Sequence, residues 1–217
     1  MKRTHLVLLV IATVLILDQC IKVYIKTTFP YGTGFKMFGL PWARIHFVEN
    51  EGMAFGLTFG GVTGKYILSL VRIILVGVLA YVIKGLIEAK EAKGLLVSLS
   101  LITAGAIGNI IDSAFYGIIF NASKYHGEAA TMFPAEGGYS SFLQGKVVDM
   151  LYFPMINSNF PDWFPFWGGD RFTFFNPVFN VADASISIGI TMLLIFYNRF
   201  FTQKKEEEIA KGFSEEE

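Results

Sequence analysis

Four apolar runs are each long enough to cross a membrane as a helix, and they constrain the fold more than any other feature of the sequence. About 20 predominantly apolar residues are needed to span the hydrocarbon core of a bilayer as a helix. The composition agrees, since 53% of the 217 residues are hydrophobic and only 17% are charged, with a mean hydropathy of +0.50. Such values are typical of membrane proteins. The four runs are residues 6–25, 66–83, 95–115 and 179–197.

The first run carries Lys2 and Arg3 in front of it, as a cleaved export signal would. However, no small-x-small cleavage site follows, and the apolar character continues through Asp18 to Ile25. Signal peptides have shorter apolar regions that end in such a site. We therefore expect a retained first helix.

The distribution of lysine and arginine predicts the orientation of the chain. Nine of the eighteen lie in the amino terminus, the connection 84–94 and the tail 198–217, whereas six lie in the two long connections, 28–65 and 117–178. Cytoplasmic segments of membrane proteins carry the excess of Lys and Arg. We therefore expect both termini to be cytoplasmic and both long connections to face outward. The tail has mixed charge and is typical of a solvated end.

The two outward connections differ in composition. The first contains ARIHFVENEGMAFGLTF, whose partial alternation and glycines predict short strands and turns. The second contains YFPMINSNFPDWFPFWGGD, which is typical of a segment at the headgroup level. The sequence therefore predicts a mainly α membrane protein in one integral domain, residues 1–217, with four transmembrane helices, a small extracytoplasmic β-sheet and an interfacial aromatic segment.

Several function classes find no support in the composition. Basic and acidic residues balance at eighteen each, and no basic stripe indicates a nucleic-acid partner. Cys20 is the single cysteine, so zinc and Cys-x-x-Cys spacings are absent, and we expect it to be a small core residue. The three histidines are scattered, although His126 and Glu128 could supply two metal ligands. We predict no metal and no cofactor.

Charged residues in the first two helices have simple structural interpretations. Asp18 and Lys22 are four residues apart, which places them on one helix face where they can pair. An ion pair that stabilises the bundle is the plainer interpretation of these two residues. Lys26 and Arg72 lie near helix ends, and we expect them to be headgroup anchors.

The spacing Asn-x-x-Asp occurs twice, as Asn109 with Asp112 and as Asn180 with Asp183. Residues three apart share a helix face, and both pairs lie near the predicted outward boundary. Polar groups at such positions are costly and indicate function. Interhelical hydrogen bonding is the alternative interpretation of either pair.

Asp149 lies in the apolar stretch KVVDMLYF, and its neighbours predict that it is buried. A buried carboxylic acid needs a partner. If Asp149 meets Asp183, the two carboxylates share one proton, so that one can act as general base on water while the other donates to a carbonyl oxygen. From spacing alone, Asp112 competes with Asp149 for this role.

The motifs in chain order resemble the lipoprotein signal peptidase family, also called signal peptidase II. The resemblance spans nearly the whole chain, and the last three motifs together are highly specific. The motifs are LDQCIK, VENEGMAFG, GAIGNIID, VVDM and FNVAD.

This resemblance implies an intramembrane aspartic endopeptidase of the bacterial inner membrane that acts without metal or cofactor. It would be multi-pass, with an active site near the outward face. Such enzymes remove signal peptides from diacylglyceryl-modified prolipoproteins by cutting before the lipidated cysteine, in contact with membrane lipid. They are inhibited by the cyclic peptide globomycin.

The resemblance also implies roles for individual residues. Asp149 and Asp183 match the catalytic pair. The matched supporting or substrate-binding residues are Asp18, Lys22, Asn50, Gly52, Asn109, Asp112 and Asn180.

The chain departs from the family pattern in two places. Ser113 stands where the family commonly has arginine, and residues 120–146 form an insertion between Asp112 and Asp149. We expect this insertion to be an outward lid or a partner surface.

Two other function classes remain open on the sequence alone. A proton-coupled carrier component could use Asp18, Asp112 and Asp183 as a relay, but carriers usually show internal repeats with interrupted helices near the midplane. A structural scaffold would not require two apposed acids. The polar groups of this sequence gather at one end of the helices, which favours the peptidase.

Overall fold

The computed structural model describes residues 1–52, 61–125 and 127–196. The predicted tail 198–217, Ala54 of the VENEGMAFG motif and His126 lie outside these ranges. The described helices are α1 (Arg3–Thr28), α2 (Gly61–Glu88), α3 (Lys93–Ile119) and α4 (Val181–Phe196). The described strands are β1 (Gly34–Lys36), β2 (Arg44–Asn50), β3 (Val147–Tyr152), β4 (Ile156–Asn159), β5 (Arg171–Phe174) and β6 (Val178–Phe179).

Among the described residues, three helices are long and apolar enough to cross a membrane, namely α1, α2 and α3. Each contains one of the predicted runs and extends beyond it, because helical structure continues into the polar flanks. α4 is apolar and has 16 described residues, fewer than the roughly 20 that a crossing needs. The mainly helical, membrane-type fold is therefore confirmed, and the fourth crossing stays a prediction.

The chain divides into two compact units. The first comprises Met1–Gln19, Tyr66–Ile111 and the described residues from Val181. Its described residues are mainly helical, and the small residues of α3 allow close packing within it. A Cβ added at Gly105 would collide with the backbone oxygen of Ala182, and one added at Gly108 would lie 3.2 Å from the Ala182 Cβ. Close approach through small residues is common between membrane helices.

The second unit, Cys20–Lys65 with Asp112–Asn180, contains an antiparallel sheet in the order β1-β2-β3-β6. The predicted strand in the first connection is confirmed as β2. β3 was not predicted as a strand, because its first four residues are all buried and an apolar run buried on both faces hides the two-residue period. Six buried side chains form the core of this unit: Ile25, Phe47, Tyr116, Phe120, Val148 and Met150.

The carboxyl-terminal end of α3 is irregular. Residues Asp112–Tyr116 are π-helical, between the regular helix Lys93–Ile111 and a last turn at Gly117–Ile119. Such π segments are rare and often lie at functional sites. The backbone oxygen of Ser113 accepts the Gly145 N–H at 2.8 Å. The end of α3 is therefore bonded to the 120–146 insertion, which packs on the core of the unit.

The predicted aromatic segment forms a separate hairpin in which β4 pairs with β5. The ring centroids of Phe160 and Phe164 lie 5.0 Å apart. Trp163 and Phe166, between the strands, are 78% and 96% exposed. Exposed aromatic side chains in a cluster are typical of a membrane interface or a binding surface. The interfacial location stays a prediction.

Two predictions about single residues are wrong. Cys20 is exposed rather than part of the core, because its side chain lies on a face of α1 that the described residues leave uncovered. Lys26 is fully buried rather than a headgroup anchor, because Glu49 pairs with it inside the second unit. The proximity of Lys26 to a helix end did not reveal this partner.

Candidate active site

Asp149 lies in the middle of β3 and is 2% exposed. β2 pairs with β3 so that Val48 is opposite Asp149. Asn50, two residues farther along β2, therefore lies on the same face of the sheet. The Asn50 Nδ2 donates to Asp149 Oδ2, and the Asn180 Nδ2 donates to Asp149 Oδ1 at 2.6 Å. Each carboxylate oxygen thus accepts an amide N–H, which stabilises the ionised form.

Asn50 also shapes the turn that follows β2. Its Oδ1 accepts the Gly52 N–H, and Gly52 has a φ of 89°, a left-handed conformation that glycine adopts without strain. The family resemblance implied that Asn50 and Gly52 are supporting or substrate-binding residues. The structure adds that Asn50 directly contacts Asp149.

Asp112 is held differently. It is fully buried at the start of the π-helical segment, and its Oδ2 lies 2.9 Å from the Nζ of Lys22, which is also fully buried. The same oxygen accepts the Val148 N–H at 3.1 Å. A buried ion pair with a further hydrogen bond satisfies both charges. Asp112 therefore joins α1 to the backbone next to Asp149.

Asp183 belongs to the helical unit and lies in the first turn of α4. It is half-buried, and the Asn109 Nδ2 donates to its Oδ1 at 2.8 Å. Asn109 of the first Asn-x-x-Asp motif thus contacts Asp183 of the second.

Asp18 is fully buried in the same unit. Its Oδ1 accepts the Ala182 N–H at 2.9 Å, which caps the start of α4. Gln19 was missed by the sequence analysis. Its Nε2 lies 3.0 Å from Asp18 Oδ2 and 3.3 Å from the Gly108 backbone oxygen. Its polar side chain within an apolar run was the available signal.

Glu49 and Ser123 of the second unit were missed, and so was the burial of Lys26. The three side chains form one hydrogen-bonded cluster, to which β2 contributes Glu49. The four-residue spacing of Lys22 and Lys26 on α1 was the available signal.

The side chains that contact the candidate acids include the amides of Asn50, Asn109 and Asn180 and the ammonium of Lys22. Over residues 1–52, 61–125 and 127–196, no group of three His, Cys, Asp or Glu side chains could hold a metal ion. The arrangement is suited to proton transfer by carboxylates that amide groups orient.

Comparison with known proteins identifies the family. The family model described as signal peptidase (SPase) II matches residues 10–199 of this chain. The chain belongs to the signal peptidase II family. The match includes every candidate site residue predicted from the sequence.

Proteins called lipoprotein signal peptidase are similar to this chain. One from Porphyromonas gingivalis is 50% identical over 190 residues, which cover 87% of this chain and 81% of the relative. One from Amoebophilus asiaticus is 35% identical, over 83% of this chain and 72% of the relative. A solved bacterial membrane enzyme is 25% identical, with a TM-score of 0.56 and 92% of each chain covered.

Membership of this family does not support the carrier hypothesis. In the structure, the proposed relay residues have structural partners: Asp112 pairs with Lys22 and Asp18 caps α4. The signal peptidase II resemblance predicted from the five motifs is confirmed.

Proposed function

We propose that this chain is a membrane aspartic endopeptidase that removes signal peptides from diacylglyceryl-modified prolipoproteins by cutting before the lipidated cysteine. The family and the lipoprotein signal peptidases that resemble it support this substrate class. The observation that carries the proposal is the 2.6 Å hydrogen bond from Asn180 to Asp149, because the second acid, Asp183, follows Asn180 by only three residues.

In this proposal Asp149 and Asp183 are the catalytic acids. Two carboxylates that share a site hold one proton between them. Asp149 accepts an amide N–H on each oxygen, which favours its ionised form, so we assign it the role of general base. Asp183 is then the protonated member. Because Asp112 pairs with Lys22, we assign it a supporting role and not a catalytic one.

The reaction follows from these protonation states. Asp149 removes a proton from water as the water oxygen attacks the scissile carbonyl carbon, and Asp183 donates its proton to the carbonyl oxygen. The tetrahedral intermediate then collapses. Asp149 returns a proton to the leaving nitrogen of the lipidated cysteine, and Asp183 recovers a proton from a hydroxyl of the intermediate. Both acids finish in their starting states.

The remaining residues orient this pair. Asn50 and Asn180 hold the Asp149 carboxylate, and Asn109 holds that of Asp183. Gly52 shapes the turn after Asn50. Asp18 caps α4, which carries Asp183.

The proposed setting is the bacterial inner membrane. We infer four crossings in a single integral domain, with both termini cytoplasmic and the acid pair near the outward face. The positive-inside distribution of lysine and arginine supports this orientation. Membrane lipid surrounds the helices, and the exposed aromatic hairpin lies at the headgroup level. The family resemblance supports inhibition by globomycin.

Processing of a lipidated prolipoprotein by the purified full-length chain in lipid–detergent micelles tests this function. The expected product begins at the lipidated cysteine, as read by mass spectrometry. A precursor whose cysteine is replaced by serine cannot be lipidated and should remain uncut. Globomycin should inhibit the reaction, whereas a chelator should not, because the proposed chemistry uses no metal site.

The acid pair is tested in the same assay. Asp149→Asn and Asp183→Asn should each lower kcat by about 10²–10⁴-fold. Asp170→Asn provides the matched control, because Asp170 is exposed in the aromatic hairpin, and it should keep wild-type activity. Equal cutting of the lipidated and serine precursors would contradict the substrate class, and full activity of either acid variant would contradict the pair.

A further inference from the structure

A buried ion pair lies on the face of β2 away from Asp149, and the proposed chemistry does not use it. The Nζ of Lys26 pairs with the carboxylate of Glu49, and these side chains are 0% and 5% exposed. Buried charges are costly unless they are paired and hydrogen-bonded. Glu49 directly precedes Asn50, so the two side chains point to opposite faces of the strand.

The 120–146 insertion completes this ion pair. The Ser123 hydroxyl lies 2.9 Å from Lys26 Nζ and 3.0 Å from Glu49 Oε1. Lys26 donates to the hydroxyl oxygen, and the hydroxyl donates to the carboxylate. Lys26, Glu49 and Ser123 therefore form a closed three-residue network, which we call the Lys26 network.

Further residues of the insertion enclose the Lys26 ammonium. Its Nζ lies 5.4 Å from the ring centroid of Phe120 and 5.1 Å from that of Tyr139, within the range of cation–π attraction. The Ala130 N–H donates to the Lys26 backbone oxygen at 3.2 Å. The insertion thus holds both the side chain and the backbone of Lys26.

Two lysines of α1 are connected to two strand residues that face each other, one of them directly and the other through Asp112. Lys22 pairs with Asp112, which accepts the Val148 N–H, and Lys26 pairs with Glu49. Glu49 and Val148 are partners in the ladder between β2 and β3. Because the lysines are one helical turn apart, a single helix face fixes both strands at one position.

That position directly precedes the Asn50–Asp149 hydrogen bond on each strand. The register of β2 against β3 shifts between Ile45 and Val48, so pairing upstream of the shift does not fix the pairing downstream. A slip of one residue would turn a strand side chain to the opposite face. The downstream register needs its own anchor, and the Lys26 network lies beside it.

We propose that Lys26, Glu49 and Ser123 are positioning residues that set the geometry of Asp149 through Asn50, and that the 120–146 insertion supplies the groups that complete this network. The inference rests on the proposed function, in which Asp149 is a catalytic acid. The 120–146 insertion thereby takes part in positioning Asp149.

The test measures kcat and KM on a lipidated prolipoprotein, together with the midpoint of thermal unfolding, for the full chain in micelles. The variants are Lys26→Met, Glu49→Gln, their double variant and Ser123→Ala. Lys84→Met is the matched control, since Lys84 is exposed on α2 beside Glu88. Asp149→Asn is measured in parallel.

The double variant is the most informative, because it removes both charges and leaves neither buried alone. We expect its kcat to fall about 10- to 100-fold, as misplacement of a catalytic group does, while KM stays within about threefold because the substrate contacts remain. Ser123→Ala keeps the ion pair and should lower kcat severalfold at an unchanged unfolding midpoint. Lys84→Met should match the wild type.

Wild-type kcat in a folded double variant would overturn the inference, and so would a loss confined to KM. If the double variant does not fold, Ser123→Ala decides in the same way, since wild-type kcat there overturns the inference. Failure of the proposed function is distinguishable, because it would appear as an inactive wild-type chain or as an active Asp149→Asn variant.

Discussion

At the residue scale, the acids Asp18, Asp112, Asp149 and Asp183 differ in the partners that hold them. Asp149 accepts hydrogen bonds from the side-chain amides of Asn50 and Asn180, and Asp183 accepts a hydrogen bond from that of Asn109. Asp112 pairs with a buried lysine, and Asp18 accepts a backbone N–H. Carboxylates in different surroundings take different roles. An amide partner orients a carboxyl group without adding a charge, whereas the lysine partner of Asp112 forms an ion pair with it.

Asp18 provides a prediction at this scale. Asp18→Ala should lower the free energy of unfolding by about 1–3 kcal/mol, because the N–H of buried Ala182 loses its acceptor. Asp18→Asn keeps an oxygen at that place and should lose less. Equilibrium unfolding in detergent micelles measures both. Equal stability of Asp18→Ala and the wild type would contradict the capping role.

The sequence identified the candidate acids and amides because polar residues are rare in apolar runs. It did not identify what each one contacts. Asn50 meets Asp149 only because β2 and β3 pair in a particular register. Glu49 and Ser123 meet Lys26 from segments 23 and 97 residues away. Such contacts depend on tertiary packing, which the local pattern does not encode.

At the element scale, the packing of α4 in the helical unit depends on the small residues of α3. Gly105→Ala should destabilise the chain by about 1–3 kcal/mol, because its Cβ would meet the Ala182 backbone oxygen, which cannot move freely. Gly77→Ala on α2 is the matched control. Nothing lies within 4 Å of its added Cβ, so it should stabilise α2 by about 0.5–1 kcal/mol.

Unfolding measurements on the two glycine variants check this prediction. A Gly105→Ala variant as stable as Gly77→Ala would show that α3 and α4 do not pack as closely as described.

The insertion provides a pH-dependent prediction. Burial raises the pKa of the Tyr139 phenol above its ordinary value, although the N–H of Lys146 that it accepts acts in the opposite direction. An unfolded tyrosine has a pKa of about 10. The stability that the protonated phenol contributes is therefore complete below about pH 10 and is lost as the pH rises above it.

The unfolding midpoint should accordingly fall above about pH 10 in the wild type, and Tyr139→Phe should show a smaller fall. Burial also raises the pKa of Tyr31, so some dependence should remain in the variant. An unchanged alkaline fall in Tyr139→Phe would contradict the buried position of the phenol.

The helices were predictable because their apolar length is a direct signal. β3 was not, because all of its first four residues are buried. The π-helical turn at Asp112–Tyr116 was also missed, and within it the Ser113 backbone oxygen bonds to the distant Gly145 N–H. In both places the three-dimensional surroundings, rather than local preference, decide the structure.

At the scale of the whole molecule, the orientation in the membrane provides the next prediction. In a Cys20→Ser background, Asp170→Cys should react with a membrane-impermeant maleimide from the outward side, because in the proposed orientation the aromatic hairpin belongs to an outward connection. Glu88→Cys, at an exposed position that ends α2, should react only after the membrane is opened. Labelling of Glu88→Cys in intact membranes would reverse the orientation.

The central claim for the whole molecule is that Asp149 and Asp183, and not Asp112, are the acids that cut the prolipoprotein. The most direct measurement is the single-turnover rate of Asp149→Asn, Asp183→Asn and Asp112→Asn side by side on one lipidated prolipoprotein. The first two should fall by about 10²–10⁴-fold. Asp112→Asn should fall less, since asparagine keeps an acceptor for the Val148 N–H. Cutting at the wild-type rate by Asp149→Asn, together with an inactive Asp112→Asn, would contradict the account and move the acid to α3.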